Sequence, residues 1–131
     1  MELNVIIVQL LVLLSSLQAQ IDELKLQQQT SDTVEIQSFI MNCESGGNPK
    51  AINTQDAKIT GHASKGLFQF QPNTFHKAAL RYKLFPEGTS KEEVLKKIYD
   101  PVFNAAAAHG LIEDGEYWHW KNCYNEYLKS K

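Results

Sequence analysis

The sequence lacks the surplus of positive charge that marks a nucleic-acid-binding protein. Its formal net charge is −2, so the chain carries no basic footprint. Charge runs are short, and residues 91–97 mix both signs, as a solvated helix face usually does. The sequence also has no evident internal repeat. We therefore expect no nucleic-acid partner.

Cysteine is scarce, with only Cys43 and Cys123 near opposite ends of the more compact region. If the protein is exported, a disulfide between them would close a loop of about 80 residues and contribute about 3–4 kcal/mol on the chain-entropy model. In a cytosolic protein the two would instead be separate buried thiols. The four histidines fall at no recognised ligand spacing with the cysteines. We therefore expect no metal site, and nothing in the sequence indicates a cofactor.

The first thirty residues differ in composition from the rest, and residues 5–17 are apolar except for Gln9, Ser15 and Ser16. This run is typical of a signal peptide, with Ala19 near a possible cleavage point, or of a membrane anchor. The absence of Lys and Arg before the run, together with Glu2, argues against a signal peptide. The run is also shorter than the roughly 20 apolar residues that a membrane span needs.

Apolar residues in the same segment also recur every three or four positions. They are Leu3, Ile6, Leu10, Leu13, Leu17, Ile21 and Leu24. Such a stripe is typical of a coiled coil or a membrane-proximal stalk. Membrane anchoring and helical self-association through residues 3–24 therefore both stay open. Residues 27–31 are interpreted as a polar linker, so the predicted division is a helix and linker in 1–30 and a domain in 31–131.

The remaining residues, about 100, suit one mainly α domain with one modest core. Asp32 followed by Glu35 resembles a capping box, and the helix that it opens is expected to stop at residues 46–47, which are both glycine. An irregular loop follows, with a small hairpin predicted around residues 52–59. Further helices are predicted to begin near Asn73, Ser90, Asp100 and Tyr117.

Glu44 is the residue best suited by its surroundings to take part in a chemical reaction. It lies in the predicted last turn of its helix, near the negative end of the helix dipole, and it adjoins Cys43, which we expect to be buried. Both features disfavour the carboxylate and should raise its pKa. A carboxylic acid that stays protonated near neutral pH can donate a proton to a substrate oxygen. The alternative is an ordinary surface glutamate before a glycine cap.

Two motifs flank the predicted loop: ESGGNP at residues 44–49 and GLFQFQP at residues 66–72, followed by Asn73-Thr74-Phe75. Together they resemble the catalytic region of soluble-lytic-transglycosylase-type (SLT) domains, which are lysozyme-like enzymes that cleave peptidoglycan. The resemblance covers about residues 35–111 and includes DPVFN at residues 100–104, which is similar to the family's D-P-x-x-N helix start.

The resemblance implies that Glu44 first protonates the oxygen between N-acetylmuramic acid and N-acetylglucosamine. It then acts as a base on the muramic C6 hydroxyl and gives a 1,6-anhydro product without water. Ser45 and Gln69 would hydrogen-bond near the scissile sugar. Gly66 and Leu67 would let backbone amides approach its N-acetyl group.

The chain departs from the family at its C-terminal end, where members commonly carry a Tyr-Asn-Ala-Gly-like segment whose tyrosine lines the cleft. The resemblance predicts that Tyr117, Trp120 or Tyr124 takes that place, and we select Tyr124. The alternative is an aromatic core helix held by Cys123.

The resemblance favours a lytic transglycosylase that acts outside the cytoplasm or belongs to a phage. One alternative is a hydrolytic muramidase of goose-lysozyme type, in which Asp56 positions water. Another is a catalytically inactive glycan-binding module. The nature of the released sugar ends separates these hypotheses.

Overall fold

The computed structural model describes residues 2–131 and divides the chain into two units, one ending at Val34 and the other comprising Glu35–Lys131. The first helix, α1, spans Leu3–Ser45. The predicted linker at residues 27–31 and the predicted capping box at Asp32 are therefore wrong, because these residues lie inside the helix. The physical reason is that residues 2–45 contain neither glycine nor proline, and glutamine is a good helix former. Gln28 Nε2 also donates to Asp32 Oδ1 at 2.9 Å across one helical turn.

In the first unit, the large apolar side chains of residues 3–26 are exposed. By length and composition, α1 is apolar enough to cross a membrane. Apolar residues stand next to one another at positions 5–8 and 10–14 and so surround the helix rather than forming only a stripe.

The second unit is mainly α, as the sequence predicts. After α1 it contains β1 (Ile52–Asn53), a 3-10 turn (Thr54–Asp56), α2 (Ala57–Thr60), β2 (Ser64–Lys65), α3 (Pro72–Arg81), α4 (Lys91–Leu95), α5 (Pro101–Glu113), a second 3-10 turn (Tyr117–Trp120) and α6 (Lys121–Lys129). The predicted caps at Ser90 and Asp100 are confirmed, since their side chains accept hydrogen bonds from the Glu93 and Val102 backbone amides.

The small hairpin is present, but its second strand was predicted in the wrong place. β1 pairs antiparallel with β2, with Ile52 opposite Lys65 and Asn53 opposite Ser64. Asn53 begins a helical turn instead of continuing the strand, because its side chain accepts a hydrogen bond from the Gln55 amide at 3.0 Å.

The core forms where α3 and α5 pack together with Ile40 of α1 and the segment around Phe68. Phe68 and Phe70 belong to this core and are 1% and 2% exposed. At Gly110 a Cβ atom would lie 2.5 Å from the Tyr82 ring, so only glycine permits this contact. The packed helices provide a rigid base for the loops that bear the polar motifs.

Candidate active site

A groove of about 910 Å³ opens beside the C-terminal end of α1 in the unit that begins at Glu35. Its lining comes from four stretches of sequence, residues 43–46, 51–60, 64–74 and 118–122. Most of the lining side chains carry carboxyl, amide or hydroxyl groups. The groove can therefore make many hydrogen bonds to a ligand rich in hydroxyl and amide groups.

Glu44 lies in the last turn of α1 and lines this groove. The helix ends at Ser45 because Gly46 and Gly47 adopt φ values of +64° and +81°, which glycine reaches without steric cost. Burial, and to a smaller extent the negative charge of Asp56, raise the pKa of Glu44 from 4.5 to about 7. Near neutral pH this carboxyl group is therefore present both with and without its proton.

The direction of this pKa shift agrees with the sequence prediction, but its expected source was partly wrong. Cys43 is exposed, whereas the sequence predicted that it would be buried beside Glu44. Burial of Glu44 itself is nevertheless the largest cause of the shift, and the negative charge of Asp56, in the 3-10 turn after β1, adds to it. Asp56 also lines the groove. Asp56 Oδ2 accepts a hydrogen bond from Ser64 Oγ at 2.5 Å, which holds its carboxylate in place.

The predicted disulfide is confirmed. Cys43 is bonded to Cys123, with the two Cα atoms 5.8 Å apart. The bond joins the last turn of α1 to α6. It therefore ties the residue before Glu44 to the C-terminal part of the groove wall.

Ser45 and Gln69 both line the groove with Glu44. The Ser45 hydroxyl donates to the Met41 carbonyl and accepts from the Gly47 amide, both at 3.2 Å, so it also completes the end of α1. Gln69 has a φ of +51°. Its side-chain amide nitrogen donates to the carbonyls of Ala51 at 3.1 Å and Gly66 at 2.9 Å. Both amide hydrogens of Gln69 are thus used to hold neighbouring loops.

Gly66 and Leu67 are buried and do not line the groove. The Gly66 amide donates to the Ala51 carbonyl at 2.8 Å, so this N–H group already has a protein partner. Gly66 has a φ of +84°, and a Cβ atom there would lie 2.3 Å from Asn104 Nδ2. The glycine is therefore explained by close packing against α5.

Asn104 is the side chain that fixes this packing. It is fully buried on α5, where its Oδ1 accepts from the Phe68 amide at 2.9 Å and its Nδ2 donates to the Ile98 carbonyl at 2.8 Å. Trp120 Nε1 donates to the Phe68 carbonyl at 2.7 Å. The D-P-x-x-N motif marked Asn104 in the sequence, but its supporting role depends on contacts between distant segments.

Tyr124 and Tyr117 do not line the groove. Their rings stack on each other with centroids 4.2 Å apart. Trp120 reaches the groove, although it is buried, and Trp118 lines the groove while remaining largely exposed. The sequence did not single out Trp118 as a groove residue. Three of the four residues 117–120 are Tyr or Trp, and the sequence alone does not indicate which of these rings faces outward.

No group of three or more His, Cys, Asp and Glu side chains within residues 2–131 is arranged to hold a metal ion.

Residues 23–122 match the Transglycosylase SLT domain. Because the match covers most of the chain, the protein belongs to the SLT transglycosylase family, whose domain is lysozyme-like. This confirms the resemblance that the two motifs indicated.

The chain is also similar to "Uncharacterized protein YqbO" of Bacillus subtilis (strain 168), with 42% identity over 71 residues. The similar stretch is 53% of this chain and 4% of that much longer relative. No solved structure matches the chain significantly.

Proposed function

We propose that this protein is a peptidoglycan lytic transglycosylase that cleaves the β-1,4 bond between N-acetylmuramic acid and N-acetylglucosamine. The observation that supports this most directly is Glu44, a carboxyl group with a pKa of about 7 in a polar groove. Membership in the SLT family supplies the substrate class. The assignment of Glu44 as the catalytic residue is part of the proposal.

In the proposed mechanism Glu44 acts twice. Its protonated carboxyl group donates a proton to the glycosidic oxygen as the bond to muramic C1 breaks, which releases the N-acetylglucosamine hydroxyl. The resulting carboxylate then takes the proton of the muramic C6 hydroxyl as that oxygen bonds to C1. The product is a 1,6-anhydro ring, no water is consumed, and Glu44 regains its proton.

A pKa near 7 suits a group that must both give and accept a proton at neutral pH. Near neutral pH both the protonated and the ionised form of Glu44 are populated. Asp56 contributes by its negative charge, which disfavours ionisation of Glu44. In this proposal Ser45 and Gln69 accept hydrogen bonds from the sugars, because both line the same groove and their donor hydrogens already have protein partners.

We further propose that the protein acts outside the cytoplasm or as part of a phage, with residues 3–24 as its membrane anchor. The exposed apolar surface of this segment supports anchoring. The disulfide Cys43–Cys123 supports an oxidising compartment.

A hydrolytic muramidase is the second candidate, because Asp56 lines the groove with Glu44. In that mechanism Asp56 would help to position a water molecule, and hydrolysis would leave a reducing muramic end. The two reactions differ in their products and not in their first proton transfer.

Mass spectrometry of muropeptides released by the wild-type protein and by Glu44→Gln tests the proposal. We expect 1,6-anhydro ends from the wild type and at least a roughly 100-fold loss of product in the variant. The matched control is Glu113→Gln, since Glu113 is exposed and does not line the groove. Thermal unfolding of each protein establishes that the fold is retained.

The products separate the candidates. Reducing muramic ends from the wild type would show that the reaction is hydrolysis and not transglycosylation. Retained activity in Glu44→Gln would reject the role of Glu44. Binding of peptidoglycan by the wild type without any product would indicate an inactive glycan-binding module.

A further inference from the structure

Trp118 is a large apolar side chain that the proposed chemistry does not use. It belongs to the 3-10 turn Tyr117–Trp120, and 68% of its surface is exposed. Two residues later Trp120 is 3% exposed and donates its indole hydrogen to the Phe68 carbonyl. The same turn therefore anchors one indole in the core and leaves the other in the groove that contains Glu44.

The ring of Trp118 is supported on one face by the neighbouring His119 side chain. It stacks on the imidazole of His119, with centroids 3.6 Å apart and an interplanar angle of 29°. The His119 side chain is only 13% exposed, and burial, the largest cause, lowers its pKa. At neutral pH this support is therefore an uncharged planar ring. The indole is held by this contact without being covered by it.

Other exposed apolar groups lie in the same groove. Ile59 and Ile52 line it and are 86% and 53% exposed. Exposed apolar groups in a polar groove are typical of a ligand-binding site. A pyranose ring presents an apolar face of C–H groups and a periphery of hydroxyl and amide groups, so it matches this mixture.

We propose that Trp118 is the platform on which one N-acetylated pyranose ring of a glycan strand stacks. This inference rests on the proposed function, and it adds a binding contact that the two sequence motifs do not contain. Trp118 is a positioning residue that contributes to substrate binding, while proton transfer belongs to Glu44.

The first experiment uses the intrinsic fluorescence of the full-length chain in the Glu44→Gln background, with the β-1,4-linked tetrasaccharide of N-acetylglucosamine as the probe. Binding should shift the emission of the exposed Trp118 to shorter wavelength and protect it from acrylamide quenching. Trp118→Phe should abolish both changes, because the remaining Trp120 is already buried. Unchanged fluorescence at saturating probe, established by calorimetry, would overturn the proposal.

The second experiment separates KM from kcat for peptidoglycan cleavage. Trp118→Ala should raise KM about tenfold with little change in kcat. Trp118→Phe keeps an aromatic ring, so its KM should stay close to that of the wild type. Tyr99→Ala is the control, because Tyr99 is an exposed aromatic residue that does not line the groove. An unchanged KM in Trp118→Ala, or an equal increase in Tyr99→Ala, would overturn the proposal.

Failure of this inference differs from failure of the proposed function. A wild type that cleaves peptidoglycan independently of Trp118 rejects only the platform. A wild type that binds the tetrasaccharide through Trp118 but releases no product supports the platform and rejects the enzyme. Absence of both binding and cleavage rejects both.

Discussion

Glu44 and Asp56 are two carboxyl groups in one groove, and their surroundings differ. Glu44 is partly buried, and its pKa rises to about 7. Asp56 accepts a hydrogen bond from Ser64, and its negative charge adds to that rise. Two carboxyl groups in unlike environments can take unlike roles, because the protonated group serves as an acid while the ionised group tunes it.

Activity should depend on pH through the proton of Glu44. As the pH rises through about 7 the acid form is lost, so we expect kcat/KM to fall on the alkaline side with an apparent pKa near 7. Asp56→Asn removes the like charge and keeps an acceptor for Ser64, so the alkaline limb should move to lower pH. The pH profile of peptidoglycan cleavage measures both effects. The control is Glu92→Gln, because Glu92 is exposed and does not line the groove; this change should leave the alkaline limb of the pH profile where it is. An alkaline limb that does not move in Asp56→Asn would contradict the effect of the Asp56 charge on Glu44.

The same pKa shift makes a prediction about stability. Because folding raises the pKa of Glu44 above 4.5, its favourable contribution is complete below pH 4.5 and is lost as the pH rises through about 7. Glu44→Gln stays neutral, so at pH 8 it should be more stable than the wild type by about 1–2 kcal/mol, after allowance for solvent screening of a partly exposed group. Urea unfolding at pH 4 and pH 8 measures the difference. An advantage of the same size at both pH values would contradict the assigned cause.

At the scale of elements, the groove depends on contacts that join distant segments. Asn104 of α5 and Trp120 of the second 3-10 turn both hold the backbone of Phe68. The disulfide joins the end of α1 to α6. These contacts fix Glu44, Gln69 and Trp118 relative to one another, although none of the three takes part in them directly.

Reduction of the disulfide should therefore lower stability. With a sequence separation of 80 residues between the two cysteines, loss of Cys43–Cys123 should cost about 2–5 kcal/mol of unfolding free energy. Urea unfolding with and without dithiothreitol measures this cost. The double variant Cys43→Ser and Cys123→Ser should unfold like the reduced wild type and should not respond to the reductant. Equal stability of the oxidised and reduced wild type would contradict the prediction.

At the scale of the whole molecule, the two units have different surfaces. Residues 3–34 are helical and expose most of their apolar side chains, whereas Glu35–Lys131 has its own core. Isolated helices of this composition rarely stay exposed to water, because each exposed leucine or isoleucine loses about 1.5–3 kcal/mol of burial free energy. We therefore propose that a membrane or a partner helix covers the apolar surface of the first unit.

Two substitutions distinguish these surroundings. Val12→Lys places a charge within the apolar run but off the stripe of leucine and isoleucine, so it should weaken flotation with lipid vesicles, at a cost of about 2.5–3.5 kcal/mol. Ile21→Lys lies on the stripe but beyond the run, so vesicle binding should persist. Loss of self-association in detergent by Ile21→Lys, with normal flotation of Val12→Lys, would favour a coiled coil over an anchor.

Local signals in the sequence predicted local structure well. Ser90 and Asp100 cap their helices because a cap needs only a hydrogen bond to a nearby amide. The apparent cap at Asp32 failed because a capping box marks a helix start only where the preceding chain leaves the helix, and residues 2–45 contain neither glycine nor proline to interrupt α1. The second strand was misplaced because pairing of Ile52 with Lys65 is not a local property.

The sequence by itself determined the family, the mainly α fold and the candidate acid Glu44, since these depend on residue identity and short spacing. Only the tertiary structure decided that the negative charge of Asp56 raises the pKa of Glu44, that Gly66 packs on Asn104 and that Trp118 lines the groove. The physical reason is that burial, electrostatic coupling and exposure arise between residues distant in sequence. They exist only once the core has fixed the position of each loop.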